Sequence, residues 1–333
     1  MRRVVPAVLV GVGVFLLVAA ALLKFYAYPA LAVAPIDQDS VTNLSAEDAI
    51  IFETDPNFLR EVVTDLSVVN TTRGDVEASQ EASDEEGEEV RVWAGTQTIT
   101  SDDGAIRSQS RDRAAFDAHT GEAVDCCGGF SESEEDVRVE VQREGLIYKF
   151  PFGTEKETYD WWDNTAATTV PAEFVEETDI DGLTVYKFES VVPAGVVGTR
   201  EVPGVIVDEP DEENVEADVS YANKRTFWVE PVTGAIIDRT EEQRSILEID
   251  GEERAITTEA NLSYTDEQVL ENVEEYESKA SLLGMVNGLF PLVALILGLV
   301  LIGLGLFLGR RDTGGSAHAG GRSVTPRKDV SKV

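Results

Sequence analysis

The sequence predicts a mainly β (α+β) extracytoplasmic domain of antiparallel sheets, flanked by one N-terminal and one C-terminal transmembrane helix. Three observations predict it. Two uncharged apolar runs, Val4 to Leu23 and Leu289 to Gly309, bracket the chain. Basic residues flank both runs on their outer sides. Between them lie short β-branched segments separated by glycine turns. A helix rises about 1.5 Å per residue, so each run is long enough for the roughly 30 Å hydrocarbon layer of a bilayer.

Arg2 and Arg3 precede the first run, and residues 1–3 are read as a cytoplasmic N-terminus. Residues 4–23 form transmembrane helix 1. Ala30-Leu31-Ala32 and Ala32-Val33-Ala34 resemble signal-peptidase sites, so a cleaved leader is the competing reading. A signal core spans about 7–15 residues, shorter than this run. Lys24, Phe25 and Tyr26 follow it as an interface anchor would. After the second span, residues 310–333 form a disordered basic cytoplasmic tail with Arg310, Arg311, Arg322, Arg327, Lys328 and Lys332 against Asp312 and Asp329. Short basic flanks stay in the cytoplasm. This places the chain in the plasma membrane with both termini inside and the long central loop outside.

That loop holds 61 of the 63 acidic residues against 19 basic ones. Such a surface repels nucleic acid and anionic headgroups. Acids spread through every segment suit a saline medium, where a Debye length of roughly 3 Å at 1 M removes self-repulsion. An acidic site collecting cations or a basic partner is the alternative.

Residues 24–264 read as a β-rich ectodomain. Val90 to Ile99, Val137 to Val141, Leu146 to Phe150, Leu183 to Phe188, Arg225 to Val229 and Ser245 to Ile249 are the strand candidates. Asp103-Gly104, Thr120-Gly121, Asp181-Gly182, Thr233-Gly234 and Asp250-Gly251 are the turns between them. Phe116 to Asp125 and Val229 to Asp238 share a pattern of hydrophobe, acid, Thr-Gly and Asp, which fits either an internal duplication or two ordinary hairpins. Asp75 to Glu89 and Asp208 to Glu216 are densely acidic and read as mobile loops without the ligand spacing of an EF-hand. Residues 265–288 form a helical juxtamembrane stalk: Val269, Val273, Tyr276, Ala280 and Leu283 recur at helical spacing, and Thr265 with Gln268 fits a capping box. Asn287, Gly288 and Pro291 interrupt it at the membrane interface, where transmembrane helix 2, residues 289–309, begins. Gly305 and Gly309 there suit a close helix contact.

The chemistry-bearing residues are few. Cys126 and Cys127, the two cysteines, are adjacent and followed by Gly128-Gly129, which leaves a vicinal disulfide, an intermolecular bridge or a plain thiol pair. His119 is the one histidine of the loop, and His318 lies in the tail. The sequence holds no G-x-S-x-G, no H-E-x-x-H and no phosphate-cradling glycine loop. The reading is therefore non-enzymatic, without cofactor or metal. Asn43, Asn70 and Asn261 head N-x-Ser/Thr triplets and are candidate glycan acceptors. Tyr148, Phe150, Phe152, Tyr159, Trp161 and Trp162 crowd one stretch with Lys149 and Lys156. They are read either as a buried aromatic hairpin or as a partner surface.

The segment Pro29 to Asp37, Phe116 to Cys127, the run YKFPFGTEKETYDWWD (148–163) and GLTVYKF (182–188) resemble the PorA family, formerly a domain-of-unknown-function family of actinobacteria and other prokaryotes. The resemblance covers nearly the whole chain and implies a porin-type channel. Outer-membrane barrels use lipid-facing strands of about 9–11 residues. Here the apolar runs are helical and the strands acidic, so a channel requires several chains. The leading expectation is a membrane-anchored ectodomain that binds or presents something at the cell surface. The alternatives are an oligomeric channel and, by topology alone, a lipid-handling receptor of the CD36 type. The bilayer is the expected partner, with a homo-oligomer or a membrane protein beside it, no nucleic acid, and a ligand the residues do not name.

Overall fold

The computed structural model describes residues 4–53, 59–134 and 137–313. Residues 1–3 and the basic tail beyond Thr313 lie outside them. The chain divides into two compact units, residues 29–283 and the pair of terminal helices.

The larger unit is mainly β. Thirteen strands form one antiparallel sheet: β1 (Asp39–Glu53), β2 (Arg60–Gly74), β3 (Val90–Ser101), β4 (Ile106–Asp117), β5 (Ala123–Val124), β6 (Phe130–Glu134), β7 (Val137–Glu140), β8 (Tyr159–Asp163), β9 (Thr168–Ile180), β10 (Leu183–Pro203), β11 (Asn214–Glu230), β12 (Ala235–Ile249) and β13 (Glu252–Tyr264). Their order is β7-β6-β4-β3-β2-β1-β13-β12-β11-β10-β9-β8, with β5 attached to β4. The first and last strands thus pair at the middle, and the two halves of the chain spread outward as meanders. The sheet curls, and Leu146 bridges Glu122 beside β5 to Trp161 of β8. One residue therefore links strands from the two arms of the curl.

Alternation explains the strands. On β2, Thr64, Leu66 and Val68 are buried while the residues between them face outward. Leu66 and Val68 meet Leu44, Ala46, Ala49 and Ile51 of β1 and Ala260 and Leu262 of β13. Each fully buried Leu or Val contributes roughly 1.5–3 kcal/mol. A bulge between Ala46 and Ala49, with Asp48 at φ 50°, restores the inward phase for Ala49 and Ile51. At the hairpin ends Asp181-Gly182 and Asp250-Gly251 both take positive φ, as two-residue turns that match strand twist require.

Three expectations are corrected. Asp75 to Glu89 contains a helix, α3 (Val76–Glu86), where a mobile loop was expected. The Asp75 carboxylate accepts the Ala78 N–H, and Gly87 closes the helix in the left-handed region. Ser79 and Ala82 turn inward, and Ala82 packs on Val90 and Val92 while the acids face out. Leu146 to Phe150 is a crossing segment held by isolated contacts and not a strand. Asn287, Gly288 and Pro291 do not break the stalk. Helix α4 (Asp266–Gly284) passes through a π turn, Met285–Leu289, into α5 (Phe290–Thr313). The π turn interrupts the i→i−4 ladder just before Pro291, which has no N–H to donate to it.

Helix α4 packs Val273 and Tyr276 on Leu183, Val185, Ala235 and Ile237. Gln268 accepts the Asn43 N–H, and the Asn272 amide donates to the Ile237 carbonyl. Gln268 N–H donates to Thr265 Oγ1, one half of a capping box.

In the second unit α1 (Val4–Leu22) continues through a π turn, Leu23–Ala27, into α2 (Tyr28–Leu31). Helices α1 and α5 meet at glycines. A Cβ on Gly13 would lie 2.6 Å from Ile302 Cγ1, one on Gly298 2.9 Å from the Gly13 carbonyl, and one on Gly305 2.8 Å from the Pro6 carbonyl. Only hydrogen side chains allow backbones so close. Gly305 thus sits in the contact as its spacing suggested. Gly309 lies at its margin, 3.8 Å from Pro6.

Candidate functional site

The densest chemistry of the β unit gathers around the segment 143–163. Arg143 anchors its start by donating to the carbonyls of Arg113 and Phe130 at 2.9 and 3.0 Å and to Asn164 Oδ1 at 3.3 Å. Leu146 N–H donates to the Asp160 carbonyl, and Trp162 N–H returns to the Leu146 carbonyl. The two Thr-Gly turns then clamp the segment from both sides. Phe150 N–H donates to the Gly234 carbonyl at 3.0 Å, Gly153 N–H to Val232 at 3.1 Å, and Phe152 N–H to His119 at 3.1 Å.

The two turns are built alike, as the repeated sequence pattern anticipated. The Asp117 carboxylate accepts the N–H groups of His119 and Thr120, and the Glu230 carboxylate accepts those of Val232 and Thr233. Gly121 and Gly234 stand at φ 80° and 71°. A Cβ on Gly234 would fall 2.1 Å from the Phe150 carbonyl oxygen, so the crossing segment rests directly on this turn.

The aromatic stretch is core. Phe150, Trp161 and Trp162 are 0%, 4% and 7% exposed. Phe150 stacks on Phe188 at 4.7 Å and Trp161, and meets Phe227 edge-on. Tyr148 packs with Trp93 and Phe116, and its hydroxyl donates to Asp112 Oδ2 at 2.7 Å. Burial raises the Asp112 carboxyl, while the Tyr148 bond and Arg143 act against that rise. The expected partner surface is therefore corrected for Tyr148, Phe150, Trp161 and Trp162, whose rings fill the curl. Phe152 and Tyr159 remain half-exposed.

Lys149 is buried in the same segment. Its Nζ donates to the Phe150 carbonyl and lies 4.0 Å over the Phe152 ring. Burial brings the amine down to about 7, with Asp117 opposing the shift. Between about 7 and the ordinary lysine value the unfolded chain holds a proton that the folded chain lacks, so stability rises with pH across that window. Lys149→Met is expected to stabilise the chain by on the order of 2 kcal/mol at pH 6. It should also flatten the pH dependence of the urea midpoint between pH 7 and 10. An unchanged slope would show that the amine is hydrated.

Behind the aromatics lies a buried ionic group. Arg225 on β11 contacts Asp163 Oδ2 at 3.0 Å and Glu241 Oε2 at 3.1 Å, and Arg239 contacts Glu241 Oε1 at 3.2 Å. The Asn223 amide donates to Glu241 and to the Tyr221 hydroxyl. Asp163 also accepts the N–H groups of Thr165 and Ala166. Burial opposes ionisation of Glu241, but Arg225, Arg239 and Asn223 outweigh it and hold the carboxyl at about 2. Burial pushes the Tyr221 hydroxyl up to about 12. Two carboxylates face two guanidiniums, so the charges balance and none is left as a nucleophile or base. Among the described residues no His, Cys, Asp or Glu group could hold a metal ion.

Sequence reasoning missed this group. Its signal is the alternation Tyr221-x-Asn223-x-Arg225-x-Phe227 on β11, polar residues in phase with a buried phenylalanine. The other predicted residues are dispersed. Cys126 and Cys127 are joined to each other beside α3, with Cys127 at φ 65° and Gly128 at φ 68°. Asn43, Asn70 and Asn261 lie within β1, β2 and β13; Asn43 is held by Gln268, and Asn261 is exposed. His119 binds the Ala32 carbonyl at 2.8 Å, a structural tie.

A curled antiparallel domain with a filled interior, carried by a chain whose terminal helices are long and apolar enough to cross a membrane, defines a membrane-associated β protein. The chain belongs to the Porin PorA family, whose model matches residues 5–307. A Porin PorA of Corynebacterium resistens is 29% identical over 30% of this chain and 36% of its own. One of Corynebacterium amycolatum is 32% identical over 30% of this chain and 32% of its own. The aligned stretch thus spans about a third of these relatives' lengths.

Proposed function

We propose that this chain is a non-enzymatic subunit of a porin-type assembly in the plasma membrane, with its termini cytoplasmic and its β domain outside. Family membership carries the reading. The basic flanks support the orientation. The domain interior is packed with Phe116, Phe150, Phe188 and Phe227, all 0% exposed, so no lumen follows from the curl itself there. The outward strand faces mix charged residues with scattered valines, unlike the continuous apolar band of lipid-facing barrel strands. Two helices in glycine contact enclose no lumen either. A conducting path therefore needs several chains, each contributing its helix pair.

The test is planar-bilayer recording with purified full-length protein at rising protein-to-lipid ratios. Discrete conductance steps are expected, with a frequency that rises more steeply than the first power of concentration. Absence of steps at every ratio, with insertion verified by protease protection, would remove the channel.

A second reading, an anchored binding domain, has its own observation. A cavity of about 390 Å³ opens among β1, β2, β3, β4 and β13, with Ile51, Leu66, Ile99 and Ile106 as walls. Arg107 and Glu53 pair across it at 2.9 Å. A silent bilayer together with a small molecule co-purifying from native membranes would select this reading.

A further inference from the structure

The sheet ends on one side in β7, and among the described residues no other strand lies on its outer edge. Register fixes which backbone groups that edge presents. Glu140 is opposite Phe130, Val139 opposite Ser131, and Arg138 opposite Glu132. The Val141 N–H donates to the Gly129 carbonyl. In an antiparallel ladder residues alternate between facing the partner strand and facing away. Val139 and Val141 therefore point their backbone groups at β6, and Arg138 and Glu140 point theirs outward. The side chains are equally open: Val137 and Val139 are 52% and 55% exposed. The Arg138 guanidinium stacks 3.9 Å above Phe130 and is 59% exposed.

We propose that β7 pairs antiparallel with β7 of a second copy of this chain, about a two-fold axis through Val139. Charge selects this partner and this register. With the axis at Val139, Arg138 faces Glu140 of the second copy, and Glu140 faces its Arg138. The outward N–H and C=O groups of these residues then form reciprocal hydrogen bonds, and the two Val139 side chains meet. Moving the axis to Arg138 sets Arg against Arg, and moving it to Glu140 sets Glu against Glu. Opposite charges directly across strands stabilise, and like charges destabilise. The neighbouring registers are thus excluded by the sequence Val-Arg-Val-Glu-Val itself. An open edge is a template for any strand, and here the complementary strand is its own copy. The contact deepens the multi-subunit reading but does not depend on conduction, so its failure leaves the bilayer recording standing.

The test uses full-length Val139→Cys protein in lipid vesicles under mild oxidant. Facing residues of a non-hydrogen-bonded pair stand at a Cα separation of about 4.5 Å, within disulfide reach. A reducible dimer of this chain is expected. Ser131→Cys, on the inner strand of the hairpin, should give none. Adding Glu140→Arg to Val139→Cys sets Arg against Arg and should slow cross-linking about tenfold. Glu140 is exposed, so the thermal midpoint of that variant should be unchanged. A Val139→Cys chain that stays monomeric, that joins a different protein, or that cross-links equally with Arg at 140 would overturn the proposal.

Discussion

Arg225→Ala is expected to lower the unfolding free energy by about 3–5 kcal/mol, because it leaves Asp163 and Glu241 buried without their shared cation. The measurement is urea unfolding of the micelle-held chain, followed by tryptophan fluorescence. The pH dependence supplies an independent check. Glu241 is held at about 2, below the ordinary value of 4.5. Its contribution is complete above the ordinary value and disappears as pH falls through about 2. The native chain should therefore lose this stability only in strong acid. Without Arg225 the carboxyl rises, so this contribution shrinks, and the variant should lose less stability than the native chain as pH falls from the ordinary value to about 2. Neutralising the group as a whole, with Arg225→Met, Arg239→Met, Glu241→Gln and Asp163→Asn together, is expected to recover most of the loss, since none of the four charges is then left without its partner. A single Arg225→Ala costing less than about 1 kcal/mol would mean that water already solvates these carboxylates.

Phe150→Ala is expected to cost about 3–5 kcal/mol, the range for a large aromatic removed from a packed core. Its ring contacts Tyr159, Trp161, Phe188 and Phe227 at once, across β8, β10 and β11. The effect should be local as well as global. Without that ring the segment 146–153 loses its apolar anchor next to the turn contacts of Phe150, Phe152 and Gly153, and limited proteolysis should cut near Glu155 to Glu157 in the variant before the native chain. Phe152→Ala, two residues on and half-exposed, should cost about 1 kcal/mol and leave the cleavage pattern intact. Gly234→Ala tests the same joint from the other side, since its methyl group would need the space of the Phe150 carbonyl. Equal losses for Phe150→Ala and Phe152→Ala would disprove the clamped arrangement.

The hairpin turns were legible because Asp-Gly and Thr-Gly demand positive φ wherever they fall. Strands β3, β7, β10, β11 and β12 were legible in part from their β-branched alternation. β1 and β2 were not, although each runs for 15 residues. Their Asn, Ser, Thr and Asp content hides a period-2 pattern that a bulge also shifts in β1. Helix α3 was hidden for a similar reason. Eight acids across Asp75 to Glu89 dominate its composition, and only Ser79 and Ala82 turn inward. The aromatic run was visible as a cluster, but its two readings could be separated only by seeing which face closes over Phe150.

By itself the sequence determined the local and one-dimensional properties: two apolar helices of bilayer length, the charge contrast at their ends, the glycine turns and the β-rich class. These follow from length, hydropathy and φ preference, which need no partner elsewhere in the chain. Only the tertiary structure decided that β1 pairs with β13, that two like turns clamp one crossing segment, and that Asp163, Arg225 and Glu241 share a buried site. Those contacts join residues separated by 16 to more than 200 positions. Pairing and desolvation depend on which surfaces meet, and no local pattern records that.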